Sequence, residues 1–74
     1  PSTTIRFDVA KSAHVEMILY DVLGRQVVVL VNKRFEAGHY QVIFNAVNLS
    51  SGVYFYSIKI GEYYRTVKKM LILK

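Results

Sequence analysis

A chain of 74 residues has room for one domain, and at that size folding buries only about 60–65% of the surface the unfolded form exposes. It has no cysteine, which excludes disulfides and thiolate metal sites, and its 53% apolar and 14% aromatic content excludes a disordered tail. The charge of +5 invites a nucleic-acid reading, but Arg6, Lys11, Arg25, Lys33, Arg34, Lys59, Arg65 and the lysines near the end are scattered rather than gathered into one patch, so no nucleic-acid partner is expected.

The first element is an alternation: Ile5, Phe7 and Val9 against Thr4, Arg6 and Asp8, a half-buried strand. Lys11-Ser12-Ala13 breaks it. Val15, Met17 and Leu19 then alternate with His14, Glu16, Ile18 and Tyr20. Asp21-Val22-Leu23-Gly24 reads as a type I turn with a bulge. Asp accepts a backbone N–H two or three residues on, and Gly takes positive φ at the fourth place. Gln26 to Val31 is a continuous valine-rich run, which predicts a strand more buried on both faces. Lys33 to Glu36 suggests a short extra strand. Glu36-Ala37-Gly38 turns the chain into a strand with Tyr40, Val42 and Phe44 on one face.

Asn48-Leu49-Ser50-Ser51-Gly52 is a longer corner, followed by two long strands, Val53 to Ile60 and Tyr63 to Leu73. Gly61-Glu62 between them has the form of a two-residue type II′ hairpin turn. In the first strand Tyr54, Tyr56, Ile58 and Ile60 point inward and Phe55 outward. In the second, Tyr64, Thr66, Lys68, Met70 and Ile72 share one face; Val67, Lys69, Leu71 and Leu73 share the other. The inward set changes near Lys68-Lys69, which predicts a bulge or a strand that leaves its sheet; the alternative is an end buried on both faces.

No segment carries a helical stripe, no apolar run reaches the roughly 18 residues of a membrane span, and the only proline is Pro1. Pro1-Ser2-Thr3-Thr4 is not a signal peptide, so the signal of an exported parent would lie upstream. Leu49-x-x-Gly52-x-Tyr54 resembles the tyrosine corner of immunoglobulin-like and fibronectin-type sandwiches, which letters the strands A, B, C, E, F and G, with Lys33 to Glu36 as C′. The expected fold is all-β: an immunoglobulin/fibronectin-III-like antiparallel two-sheet sandwich of six to seven strands, with residues 1–74 as a single domain.

A search for reactive constellations is unrewarding. Ser2, Ser12, Ser50, Ser51 and Ser57 stand in no nucleophile motif, and Ser50 and Ser51 suit a turn. His14 and His39 lack a third ligand. Asp8, Glu16, Asp21, Glu36 and Glu62 show no paired-carboxylate signal. Gly24, Gly38, Gly52 and Gly61 are dispersed, so no phosphate loop exists. The expectation is a non-enzyme with no cofactor. Tyr63 and Tyr64, after a hairpin turn, leave room for a carbohydrate-stacking platform.

Three blocks remain: Leu19-Tyr20-Asp21-Val22-Leu23-Gly24-Arg25-Gln26-Val27, Asn48-Leu49-Ser50-Ser51-Gly52-Val53-Tyr54-Phe55-Tyr56, and Lys68-Lys69-Met70-Leu71-Ile72-Leu73-Lys74. With the Pro1-Ser2-Thr3-Thr4-Ile5-Arg6-Phe7 opening, they resemble, in order and over the whole chain, the type A C-terminal sorting domain of the type IX secretion system. That family is related to the immunoglobulin-like domain of flagellar hook-capping proteins. The resemblance implies the C-terminal module of a larger exported protein: periplasmic in transit, read by the outer-membrane translocon, and in many cases removed by a sortase-like surface protease. Asp21, Gly24 and Arg25 match the family's turn, Gly52, Val53 and Tyr54 its central block, and Lys69, Met70 and Lys74 its last strand. Asp21, Gly24, Arg25, Gly38, Leu49, Gly52, Tyr54 and Gly61 are expected to be structural. Lys68 to Lys74 are expected to be recognised, although lysines on a terminal strand also guard it against aggregation. The competing readings are a carbohydrate-binding accessory module and a structural spacer.

Overall fold

Alternation in the sequence becomes alternation of faces. The computed structural model describes residues 2–73, as six strands: β1 (Ser2–Val9), β2 (Ala13–Tyr20), β3 (Gln26–Phe35), β4 (Gly38–Asn45), β5 (Gly52–Ile60) and β6 (Tyr64–Ile72). All pairings are antiparallel. β1 pairs with β4 in one sheet, and the other runs in the order β3-β2-β5-β6. Ile5, Phe7 and Val9 of β1 meet Val15 and Met17 of β2 and Ile58 of β5 in one buried cluster, so the sheets lie face to face as a sandwich. A second cluster of Leu19, Ala46, Tyr54 and Ile72 closes the other end. The smallest dimension, 16 Å, suits two sheets packed about 10 Å apart with their side chains.

The pairing shifts the strand lettering. A strand in position B would lie beside E, but β2 pairs with β5 while β1 pairs with β4. In immunoglobulin lettering β1 is therefore B, β2 is C, β3 is C′, and β4, β5 and β6 are E, F and G. Position A, beside B, holds no strand among the described residues.

β3 also departs from expectation. It is an edge strand paired only with β2, and Val29 is 44% exposed, so it is not buried on both faces. The register with β2 skips twice: Met17 opposes Val31 and Ile18 opposes Val29, then Leu19 opposes Val28 and Tyr20 opposes Gln26. Each skip adds one β3 residue, and Leu30 and Val27 pack against the core beside Val31 and Val28. The run is apolar because two bulges turn consecutive residues to one face. Lys33 to Phe35 continue the same strand, with no separate C′ piece.

Two features of the last hairpin differ as well. Ile60 pairs with Tyr64, so the loop is three residues, Gly61, Glu62 and Tyr63, and not two. Tyr63 stands 97% exposed at its tip, and the Gly61 N–H donates to the His14 carbonyl (2.9 Å), tying the loop to β2. The β5–β6 register then runs unbroken from Ile60↔Tyr64 to Gly52↔Ile72. There is no bulge at Lys68-Lys69. Lys68 stays in phase with Met70 and Ile72 yet remains exposed, because the two-stranded sheet does not extend over it.

An aromatic trio seals one end of the core. Phe7 stacks on Tyr40 (centroids 5.6 Å) and meets Phe35 edge-on (5.3 Å), while Phe35 meets Tyr40 at 4.7 Å. Met17, wholly buried at the centre, is the sensitive point. Met17→Ala is expected to cost about 2–5 kcal/mol in urea unfolding, against about 0.5 kcal/mol or less for Tyr63→Ala.

Candidate functional site

The Asp21 turn is closed by its own carboxylate. Oδ1 accepts the N–H groups of Leu23 and Arg25 (both 2.9 Å), and the Arg25 Nε donates to Oδ2 (2.8 Å). The Gly24 N–H donates to the Asp21 carbonyl (3.0 Å), with Gly24 at φ 80°, a conformation costly for any residue with a Cβ. The Arg25 N–H, joined by the guanidinium, holds the Asp21 carboxyl below its usual range. A lowered value means that this contribution to stability is present above the ordinary carboxylate pKa and is lost as pH falls through the folded one.

Tyr54 is fixed by a bond to its own chain. Its hydroxyl donates to the Ser50 carbonyl four residues back (2.8 Å), while its ring packs with Leu19, Ala46 and Ile72. Leu49 packs against the same cluster. Gly52, between Ser50 and Tyr54, has φ 153°. A second bond of this kind was missed by sequence reasoning: the Tyr40 hydroxyl donates to the Glu36 carbonyl (2.7 Å), also four back, with Gly38 two residues before the tyrosine. The shared Gly-x-Tyr spacing, Gly38-His39-Tyr40 and Gly52-Val53-Tyr54, is the signal that could have found it.

The three sequence blocks converge. Tyr20 opposes Phe55, and Phe55 opposes Lys69, so Tyr20, Phe55 and Lys69 form one row across the outer face of the four-stranded sheet. Val53 opposes Leu71 in the next row, and Gly52 opposes Ile72. The Asp21 turn, the 46–52 corner and the end of β6 therefore share one end of the sandwich. Gly38 and Gly61 lie at the other, where Gly38 opposes Val9 and Gly61 bonds to His14.

The last strand divides its residues between two faces. Ile72 is buried and Met70 half-buried toward the core. Val67 (57%), Leu71 (62%) and Leu73 (70%) are exposed beside an exposed Lys69. Val53 is exposed too. Lys74 lies outside the described residues. Among the described residues, no group of three His, Cys, Asp or Glu side chains is placed to hold a metal ion. Nor, among the described residues, is any helix long and apolar enough to cross a membrane. The arrangement offers a surface for contact.

The family model for the secretion system C-terminal sorting domain matches residues 2–73. The chain belongs to that family. Neither the curated proteins nor the solved structures yielded a match. As a type IX sorting domain it is a C-terminal secretion signal, from a family of non-catalytic modules, that works with the type IX secretion system to carry a cargo joined in cis across the outer membrane.

The sorting domain's two histidines serve local pairings. His14 Nε2 meets Asn32 Oδ1, and His39 Nδ1 lies 2.7 Å from Asp8 Oδ1 across the β1–β4 pair. Hydrogen bonding to Asp8, reinforced by its charge, raises the His39 pKa. A raised value means the pair stabilises the fold below the ordinary histidine pKa and that contribution is lost as pH rises through the folded one. Proton NMR titration should place His39 above an unperturbed histidine, and Asp8→Asn should bring it back toward about 6.5. Tyr54→Phe, which removes only the hydroxyl bond, should cost about 1 kcal/mol and lower Tm by about 4–8 °C in thermal denaturation.

Proposed function

We propose that the translocon reads this sorting domain on the outward face of its last strand: Val67, Lys69, Leu71 and Leu73, extended by Val53 and Phe55 of the neighbouring strand. The observation that carries the reading is the exposure of apolar side chains in a row with a lysine on the final strand. Exposed apolar patches rimmed by charge mark contact surfaces, and nothing in the packing of the sandwich requires these side chains to be apolar. Of the stretch Lys68 to Lys74, Met70 and Ile72 serve the core, so recognition falls to the alternate set. Residues 1–74 then act as one address module at the end of a larger exported protein. Its cargo is delivered to the cell surface or released after a sortase-like protease cuts upstream of the module.

Two features favour contact with a protein over contact with a glycan. Tyr63 stands at a loop tip and Tyr64 on the inner face of β6, so the two rings form no shared platform. The apolar row is also continuous across two strands, as a docking sheet face would be.

The test separates the two faces. In the full-length parent, Lys69→Glu with Leu71→Glu is expected to reduce surface delivery about tenfold or more, the effect of losing a contact worth roughly 1.4 kcal/mol, while the module keeps its melting temperature. Met70→Ala is expected to lower stability by about 1–2 kcal/mol with delivery preserved at permissive temperature. Normal delivery by the double variant and by a parent lacking Lys68–Lys74 would sink the reading.

A further inference from the structure

The four-stranded sheet ends in two edges, β3 and β6, and they are built differently. β3 slips out of register with β2 twice, and bulges of that kind twist an edge away from further pairing. β6 has no register shift along its nine residues and no proline, so it offers a straight edge of roughly 30 Å. One bond fixes which main-chain groups lie on that edge. The Gly61 N–H donates to the His14 carbonyl (2.9 Å), so the odd-numbered residues of β5 turn their N–H and C=O groups toward β2. The even-numbered residues Tyr54, Tyr56, Ile58 and Ile60 turn theirs toward β6 and meet its own even-numbered residues. The groups on the far side of β6 are therefore those of Arg65, Val67, Lys69 and Leu71, which have no strand partner among the described residues. Their side chains stand on the outer face of the sheet.

Charge marks this edge. After Glu62 the sequence holds Arg65, Lys68, Lys69 and Lys74 and no acidic residue. A second copy added antiparallel, with the same face outward, pairs odd residues with odd and even with even. Centred on Val67, such a pairing sets Arg65 against Lys69 twice; centred on Lys68 or Lys69, it sets that lysine against itself. Like charges directly opposite destabilise a strand pair, so the edge repels its own copies. The same cations favour an incoming strand that carries acids. Along the outer face the order is Arg65, Val67, Lys69, Leu71, a cation and an exposed apolar residue by turns. Its complement has carboxylates four residues apart and an apolar residue midway between them.

We infer that the sorting domain is bound by strand addition: an extended segment of the export machinery pairs with the outer edge of β6, its acids opposite Arg65 and Lys69 and its apolar residues opposite Val67 and Leu71. The inference rests on the reading that the last strand is the contact, and it adds to that reading the main chain of β6 and the side chain of Arg65. In such additions the main-chain bonds supply affinity, and the side chains on alternate residues supply selectivity. The incoming strand also extends the outer face of the sheet, so its side chains lie directly beside the exposed Val67 and Leu71. One geometry thus uses the unpaired backbone, the cations and the apolar row together.

The experiment separates main chain from side chain in the full-length parent. Val67→Pro keeps an apolar side chain and removes an outward N–H that β5 does not use, so the module should stay folded while surface delivery falls about tenfold or more. Val67→Ala, which keeps the N–H, should lose markedly less. Arg65→Glu should also reduce delivery about tenfold, and Arg65→Lys should retain it. If Val67→Pro does not fold, hydrogen exchange decides: in the parent bound to solubilised translocon, the amides of Arg65, Val67, Lys69 and Leu71 should exchange about tenfold more slowly than in the parent alone. Normal delivery by a folded Val67→Pro, or the same fast exchange of those amides in the bound parent, overturns the inference. So does slowing that appears without translocon and grows with parent concentration, since the added strand is then a second copy. Loss of delivery in the Lys69→Glu, Leu71→Glu double variant beside normal delivery by Val67→Pro removes strand addition and leaves the recognition face standing; normal delivery by both removes both.

Discussion

The strand β2 is hydrogen-bonded along both edges, to β3 and to β5, and its inward side chains Val15, Met17 and Leu19 are fully buried. Those three residues meet both buried clusters, Val15 and Met17 at one end and Leu19 at the other. In a chain this small, with no disulfide, the remaining elements are placed by reference to that ladder. β5 takes its register from β2, β6 takes its register from β5, and the turn at Asp21 leaves from the last residue of β2. The convergence of three sequence blocks at one end of the molecule follows from this chain of registers. No direct bond between the blocks is needed.

Much of the architecture was legible in the residues. Period-two patterns marked β1, β2, β4 and β5 because each lays one face on the core, although Ile18 and Ser57 are buried on the opposite face of the four-stranded sheet as well. Where the pattern depended on a partner, it misled. The valine run of β3 looked like two-sided burial, since a bulge and a buried outer face both produce consecutive apolar residues and only the pairing tells them apart. Lys68 looked like a break in phase because a lysine on an inward position implies a bulge only if something covers it, and the narrow second sheet does not. The strand lettering went wrong for the same reason: which sheet a strand joins is a long-range choice that local alternation does not encode.

The candidate surface was legible in part. The last strand stood out through its lysines and its resemblance to a known family. Its division into a core-facing set and an outward set needed the unbroken β5–β6 register. Phe55 reads as outward and Val53 as part of the central block from the sequence alone, but their place beside Lys69 and Leu71 needed the same register. The Tyr40 bond was hidden because the hydroxyl's acceptor is a main-chain carbonyl, which carries no residue-type signal.

The pairing of β1 with β4 has a consequence for the order of assembly. The β2–β3 and β5–β6 ladders are hairpins closed by short turns, whereas β1 reaches β4 only after β2 and β3 have intervened, with Val9 beside Gly38 and Ser2 beside Asn45. Loop-closure entropy grows with the length of chain enclosed, so this contact begins with the larger debt and has only two strands over which to recover it. The β2–β5 pairing, from Tyr20 to Phe55, encloses still more chain, so the two hairpins form first and the two long-range contacts that join them to each other and to β1 form late. Until those contacts close, the inner faces of Val15, Met17 and Leu19 stand open to water, and that interval is when the module is most exposed to aggregation and to proteases.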